Sequence, residues 1–390
     1  MGSSLALFLA RRGVSVTLFD AAPQPMTCAS RWNEGKIHLG FIYSRDASLT
    51  TARHILTGGL LFKPVLETLI GTSLDSASTM TDDIYLCHRQ SVVRPDAMAA
   101  YFHQVAHLIH QHPDARRYFV DVSSCQIGRL NNQELSAITD SPEIVAGFRI
   151  PERSVSTNWV ADRLTDALDS EVGIEKCMGT HISAVRPIVV GEVDGPWLVE
   201  SGQERFGPYD YVVNALWEGR LAIDLKTGLK PLGPWSNRYR LSLFIHTDKP
   251  VDMPSAIIAT GPFGDIKNYN LRDFYLSWYP SGLMVDSSEI LPPSPPTLDE
   301  TQRSAIEDTV LRQLEDLLPG VARIREQIKS IDLRGGWVFA TGQGELSNPN
   351  STLHRRSDFG VTRLGAYLSV DTGKYSTAPS MALDIVNSLI

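Results

Sequence analysis

The sequence predicts an α/β fold in which a discontinuous, mainly parallel-sheet domain is interrupted by an inserted antiparallel-sheet α+β domain. Alternating helix-like and strand-like segments occur at both ends of the chain and in its middle. Between them lie alternating stretches rich in aromatic residues, such as RYRLSLFIHT and DFYLSWYP. With 390 residues the chain is long enough for two domains. We expect residues 1–75, 148–225 and 331–390 in the first domain, and residues 76–147 and 226–330 in the second.

The opening segment, MGSSLALFLARRGVSVTLFD, predicts a helix, a turn and a buried strand. Apolar residues recur at helical spacing after Gly2, and Gly13 can take the positive φ that ends a helix. The apolar VSVTLF is typical of a strand covered on both faces. Asp20 lies 18 positions after Gly2, close to the spacing between a G-x-G-x-x-G fingerprint and its ribose-binding acid. We therefore expect about 20 to 30 upstream residues to supply a first strand and two further glycines.

The later elements follow from periodicity and from helix-start signals. Pro95 suits the first turn of a helix, and Thr297 followed by Glu300 suggests a capping box. The predicted elements, in chain order, are a strand at 82–89, helices at 94–111 and 155–170, strands at 179–190, 195–201, 209–216, 238–247, 254–260 and 273–280, a helix at 297–318, a strand at 331–340 and a closing helix at 380–390.

Composition narrows the function classes. The net charge of −8 argues against nucleic acid or an anionic membrane as the main partner. No apolar run is long enough to span a membrane, and the N-terminal charges follow the apolar run, unlike those of a secretory signal. The four cysteines form no C-x-x-C pair, which favours reduced thiols in a cytoplasmic protein.

Four stretches in order resemble the FAD-dependent oxidoreductases of the D-amino-acid oxidase and glycine oxidase superfamily. They are residues 2–20, SRWNEGKIHLGFIY at 30–43, YVVNALWEG at 211–219 and SVDTGKYSTAP at 369–379. The second and fourth are most similar to the L-2-hydroxyglutarate oxidase and glycerol-3-phosphate dehydrogenase branches. The resemblance implies a Rossmann-like FAD-binding domain, here without its N-terminal strand, that encloses a substrate domain.

The resemblance also implies which residues bind FAD. Gly35 would let backbone N–H groups approach the cofactor, and a helix beginning near Thr377 would stabilise negative charge on the reduced flavin. One contact departs from the family pattern, because Ala215 is followed by leucine where the family usually has glycine. The implied cofactor-binding residues are Gly2, Asp20, Arg31, Asn33, Gly35, Lys36, Ile37, His38, Asn214, Ala215, Gly373, Lys374, Tyr375, Ser376 and Thr377.

The reaction implied is removal of a hydride from a CH–OH or CH–NH carbon of a small, anionic substrate. Oxygen or an electron carrier would then reoxidise the flavin. His38 and Tyr43 are the candidate catalytic residues beside the ring. Arg355 and Arg356 are candidates to hold a substrate carboxylate through two hydrogen bonds.

Several alternatives stay open at this point. A flavin monooxygenase would show a G-D-A stretch before its last helix, where this chain has DTGKYSTAP. A truncated relic with weak FAD binding and no catalysis would explain the absent first strand. His103, His107 and His110 share a helix face, but without a fourth ligand they favour a solvated face over a zinc site, so we predict no metal.

Overall fold

The structure, a computed structural model, describes every residue from Met1 to Ile390. Its helices are α1 (Gly2–Ala10), α2 (Thr50–Ile70), α3 (Pro95–His110), α4 (Asn132–Ser136), α5 (Thr157–Ser170), α6 (Arg220–Thr227), α7 (Tyr279–Gly282), α8 (Glu300–Glu315), α9 (Val321–Glu326) and α10 (Ala378–Leu389). None of these helices has both the length and the apolar character needed to cross a membrane.

Nineteen strands form one large sheet and several small ones. The strands are β1 (Val16–Asp20), β2 (Lys36–Ile37), β3 (Asp83–His88), β4 (Gly128–Arg129), β5 (Ile144–Ile150), β6 (Arg153–Ser154), β7 (Ile174–Met178), β8 (Ala184–Pro187), β9 (Trp197–Ser201), β10 (Glu204–Tyr209), β11 (Val212–Asn214), β12 (Trp235–Thr247), β13 (Ala256–Ala259), β14 (Gly264–Asn268), β15 (Asp273–Trp278), β16 (Leu283–Ser287), β17 (Ile328–Thr341), β18 (Gly360–Leu364) and β19 (Tyr367–Asp371).

The large sheet has nine strands in the order β16-β12-β15-β14-β13-β3-β5-β4, with β17 paired antiparallel to β12. All of its pairings are antiparallel except the one between β13 and β3. One face packs against α8 and α9 around Leu243, Leu276 and Leu314. This arrangement confirms the predicted antiparallel sheet built from aromatic-rich strands.

The opposite side of the molecule is built from parallel pairs. Strand β1 pairs in parallel with β7, and β11 pairs in parallel with β19. Helices α1, α2, α5 and α10 surround these pairs and share one apolar core with α3. The α/β organisation of the N-terminal, middle and C-terminal segments is thus as predicted.

An open seam separates β1 from β11. Each of these strands has only one hydrogen-bonded neighbour, and both line the same cavity. All five residues of β1 are half-buried. The expectation of a strand fully covered on both faces is therefore wrong, because the cavity runs along the whole of β1.

Most predicted helices are present, with local differences at their ends. Helices α3, α5, α8 and α10 fall within or close to the predicted ranges. The capping box of α8 consists of Asp299 and Gln302, not of Thr297 and Glu300. Asp299 is the N-cap residue, because its carboxylate accepts a hydrogen bond from the N3 backbone N–H at 2.8 Å. The side chain of Gln302 in turn accepts a hydrogen bond from the backbone N–H of Asp299.

Candidate functional site

The seam opens into a cavity of about 960 Å³ between the parallel strands and the edge of the large sheet. Its wall is formed by the start of α1, the end of β1, the loop after β1, the end of β11 and the loop between β19 and α10. In open α/β sheets, ligands bind at the carboxyl ends of the strands, and the volume is within the usual range for ligand sites. The cavity is therefore the candidate site.

The loop at 30–43 is held in shape by its own polar groups. The side chain of Asn33 accepts a hydrogen bond from the Gly35 backbone N–H at 2.8 Å and donates one to the Ala29 carbonyl at 2.8 Å. Gly35 has a φ of +61°, and a Cβ there would collide with the Val155 carbonyl oxygen. This turn directs Lys36 and His38 towards the cavity.

His38 is buried on the cavity wall, and its Nδ1 has no hydrogen-bond partner. Burial lowers the pKa of His38 well below its usual value, and the nearby cations Lys374 and Lys36 lower it further. The imidazole is therefore neutral at neutral pH. Its ring lies 6.4 Å from the ring of Tyr43, whose hydroxyl is also buried without a partner.

Lys36 belongs to a buried ion network that sequence reasoning missed. Its ammonium lies 2.9 Å from Glu152 and pairs with Asp83. Asp83 in turn lies 2.8 Å from Lys267 of β14. Glu152 also accepts a hydrogen bond from the backbone N–H of Leu39, so the network fixes the chain next to His38. The one sequence signal was the acidic pair that opens the apolar strand DDIYLC.

The loop between β19 and α10 carries a second set of predicted residues. Gly373 has a φ of +63°, and its N–H donates a hydrogen bond to the Asp371 carboxylate at 2.8 Å. Lys374 lies on the wall with its ammonium 5.4 Å from the centre of the Tyr43 ring. Tyr375 also lines the cavity, and its buried hydroxyl has no partner.

The two adjacent candidate arginines occupy different environments. Arg356 lines the cavity, and its guanidinium makes no hydrogen bond or ion pair, although its backbone N–H donates to Thr51 Oγ1 at 3.0 Å. Arg355 is exposed and is not part of the cavity wall, and its charge helps to lower the pKa of Asp46. The structure thus brings only one of the pair to the cavity.

Arg238 of β12 is a further cation that sequence reasoning missed. It is buried and donates a hydrogen bond to the Tyr279 hydroxyl at 2.9 Å. Its backbone partner on β17, Val338, lies on the cavity wall. The signal in the sequence was a pair of arginines, 238 and 240, on one face of the same strand.

The remaining predicted cofactor residues divide into two groups. Gly2, Asp20, Asn214 and Ala215 line the cavity with Asn33, Lys36, His38 and the 373–375 segment. The residues placed behind this wall are Arg31, which pairs with Asp162 at 2.7 Å, Gly35, Ile37 of β2, Ser376 and Thr377. Their proposed contacts stay predictions.

Two of the wall residues are tied to neighbouring protein groups. The Asn214 amide donates to the Arg220 carbonyl, to Asp224 and to the Tyr367 hydroxyl at 2.8 to 3.0 Å. Asp20 accepts a hydrogen bond from the Ala22 N–H at 2.9 Å, and burial raises its pKa. Asn214 therefore shapes the end of β11, whereas Asp20 keeps an oxygen for another donor.

The donor set of this cavity fits a flavin dinucleotide. The N-terminus of α1 offers backbone N–H groups without a side-chain cap, as a diphosphate requires. Two buried polar atoms without partners, Nδ1 of His38 and the hydroxyl of Tyr375, belong to residues further along the cavity wall, whereas the partnerless hydroxyl of Tyr43 belongs to a residue outside this wall. The structure contains no group of three or more His, Cys, Asp or Glu arranged to hold a metal ion, and His110 bonds to the Cys125 carbonyl.

Comparison with known proteins agrees with this fit. The family model described as "FAD dependent oxidoreductase" (DAO) matches residues 1–343. The fold is similar to that of glycine oxidase from Geobacillus kaustophilus, with a TM-score of 0.67 and 13% identity over 99% of this chain and 90% of that one. No curated protein matches the sequence.

Two further solved structures have the same fold. FAD-bound L-α-glycerophosphate oxidase from Mycoplasma pneumoniae gives a TM-score of 0.65 at 13% identity, covering 99% of this chain and 91% of that one. Iminodiacetate oxidase from Chelativorans sp. gives 0.66 at 14% identity, covering 98% and 90%.

Proposed function

Because the chain belongs to the DAO family of FAD-dependent oxidoreductases, we propose that it takes a hydride from a CH–OH or CH–NH carbon of a small, anionic substrate. One observation carries the choice of substrate: Arg356 lies on the cavity wall without a carboxylate partner, near a neutral His38. A guanidinium in such a place is suited to a carboxylate or phosphate.

The chain's own residues would hold FAD along the whole cavity. The backbone N–H groups at the start of α1 would bind the diphosphate, and Asp20 the ribose. The loops containing Asn33 and Lys374 would contact the ring. When bound, FAD supplies the two-electron acceptor that the protein lacks. Lys374 and the N-terminus of α10 would stabilise negative charge next to it.

His38 would handle the substrate proton. Since its imidazole is neutral and its Nδ1 has no protein partner, it can accept the proton of a substrate hydroxyl or amine. Arg356 would orient the substrate by its anionic group, and the partnerless Tyr43 hydroxyl would donate or accept a hydrogen bond nearby. The names of the three similar structures, glycine, glycerophosphate and iminodiacetate oxidases, all describe compounds that carry a carboxylate or a phosphate group, which supports a substrate with an anionic group.

The test is reduction of the bound flavin under anaerobic conditions. The FAD-loaded protein would be mixed with 2-hydroxy acids, amino acids, N-methyl amino acids and glycerophosphate, and its absorbance followed. We expect one class to bleach the flavin, and air or an electron carrier to restore it. Arg356→Met should lower kcat/KM while FAD stays bound. The expected loss corresponds to an increase of about 2–5 kcal/mol in activation free energy.

The control is Arg116→Met, which removes a guanidinium whose side chain is 81% exposed. This variant should bleach as fast as the parent. If Arg355→Met lowered kcat/KM and Arg356→Met did not, the anion would bind outside the cavity and the proposed geometry would be wrong. A parent protein that no member of the panel bleaches would overturn the proposed function.

A further inference from the structure

We propose that the ligand of this site carries two negative charges, held jointly by Arg356 and Arg238. The proposal rests on the proposed function and narrows its substrate class to dianions, such as a dicarboxylate or a phosphate monoester. It follows from how the protein compensates its buried cations.

Arg238 is the exception among the buried basic residues. Five lysines and arginines are buried in the structure, and four of them pair with carboxylates: Lys36 and Lys267 with Asp83, Arg153 with Asp82, and Arg220 with Asp224. Arg238 is 2% exposed, and the single hydrogen bond of its side chain goes to the hydroxyl of Tyr279, not to a carboxylate. Its Nε has no partner at all. An uncompensated buried charge is strongly unfavourable, so a missing anion is the simplest explanation.

On the same strand, the charge of the neighbouring Arg240 is stabilised by other groups of the protein. Its guanidinium stacks on the Tyr279 ring at 4.6 Å and donates to Ser277 Oγ at 3.3 Å. The carboxylates of Asp265 and Glu34 help to raise its pKa. Arg238 has no such carboxylate, although the two arginines are only two residues apart.

Arg356 adds a second charge that has no ion-pair partner, since Asp371, the carboxylate whose pKa its charge acts to lower, is already paired with Arg220 at 3.5 Å. Its backbone is anchored by Thr51, while its guanidinium has no hydrogen bond and faces the cavity. Val338, directly opposite Arg238 on β17, lines the same cavity as Arg356, and directly opposed side chains share one face of a sheet, so Arg238 lies on the cavity side of β12. The pKa of Arg238 is lowered first by burial and then by the charge of Arg356. A single negative charge would leave one guanidinium uncompensated, whereas a dianion neutralises both.

The experiment measures anion binding without turnover. The thermal unfolding of the FAD-loaded protein would be followed with added malonate, succinate, inorganic phosphate or acetate at matched ionic strength. Binding to the folded state raises Tm according to the ratio of ligand concentration to Kd. We expect at least one dianion to bind roughly ten- to a hundredfold more tightly than acetate, since one charge-assisted hydrogen bond is worth about 1.5–3 kcal/mol.

Two variants test whether Arg238 causes the preference for dianions over acetate. Arg238→Met should unfold at an equal or higher temperature without ligand, because a buried unpaired charge is removed, and should bind dianions no better than acetate. Arg116→Met should keep the parent's preference. The proposal would be overturned if acetate bound as tightly as every dianion, or if Arg238→Met left the preference intact.

The measurements also distinguish a dicarboxylate from a phosphate monoester. They further separate the proposed two-charge site from the proposed oxidation. Preference for phosphate over both diacids points to a phosphate monoester, and the reverse points to a dicarboxylate. If dianions bind but no member of the substrate panel bleaches the flavin, the proposed oxidation fails while the two-charge site stands. If bleaching occurs with monoanions only and dianions do not bind preferentially, the oxidation stands and the two-charge site fails.

Discussion

His38 is a histidine that the protein keeps uncharged. It is buried, its Nδ1 is free of hydrogen bonds, and cations such as Lys374 and Lys36 lie near it. The neutral form is needed to accept a proton, so the same surroundings that lower its pKa prepare it for the proposed chemistry. The arrangement also has a thermodynamic signature.

Stability should therefore fall as the pH drops below the ordinary histidine pKa of about 6.5. Below that value the unfolded chain takes up a proton at residue 38 and the folded chain does not, so protonation favours unfolding. The contribution of His38 to the free energy of unfolding is complete above pH 6.5. As the pH is lowered further, this contribution falls by up to about 1.4 kcal/mol per pH unit. Urea unfolding at pH 7.5 and 5.5 should show a smaller difference for His38→Gln than for the parent. The exposed His103→Gln serves as the control, and an equal pH dependence in all three proteins would contradict the prediction.

Helix α2 shows where local sequence is a poor guide at the scale of an element. Its 21 residues contain Gly58, Gly59 and Pro64, which disfavour helix, and the sequence analysis assigned no helix there. Tertiary packing explains the glycines. A Cβ on Gly59 would collide with the His38 carbonyl oxygen, and one on Gly58 would meet Thr377 at 2.8 Å. The helix thus holds two segments of the site from behind.

Gly59→Ala should destabilise the protein, although alanine favours helix over glycine. The methyl group would push α2 away from the loop containing His38, at a cost of about 1–3 kcal/mol in the free energy of unfolding. Chemical denaturation measures this cost, and flavin absorbance reports the shift of the loop. Gly128→Ala is the matched control, because its Cβ meets nothing within 4 Å. Equal stability of the two variants would show that α2 does not press on His38.

Other parts of the site were predictable because each lies within a short, continuous segment. Asn33, Gly35 and His38 belong to one loop, and Gly373 and Lys374 to another, so their spacing could be read directly. Glu152, Lys267 and Arg238 were not predictable, because they approach the loops only through long-range strand pairing. The contact between Lys267 and Asp83, for example, spans 184 residues.

At the scale of the whole molecule, the ion network joins the large sheet to the loop of the site. Asp83 on β3 binds both Lys36 and Lys267, and nothing exposes these groups to water. We expect Asp83→Asn to lower the free energy of unfolding by about 3–5 kcal/mol, because the buried Lys267 would lose its ion pair and Lys36 would keep only Glu152.

The comparison variant is Asp75→Asn, which breaks an exposed pair with Lys63 and should cost about 0–1 kcal/mol. Denaturant unfolding followed by tryptophan fluorescence would measure both variants. A loss of less than about 1 kcal/mol in Asp83→Asn would mean that water or a neighbouring group compensates the lysines.

The open seam between β1 and β11 affects how the molecule meets other chains. An ordinary sheet has edges that face outwards, and each can template one new ladder. Here two unpaired edges border one cleft, and each of them could accept an extended segment. Apolar side chains such as Val16, Leu18 and Val213 line the cleft, with no lysine or proline on β1 or β11 to discourage pairing. The cavity proposed to hold FAD is thus also bordered by two strand edges, so a bound cofactor would keep these edges from pairing with another chain.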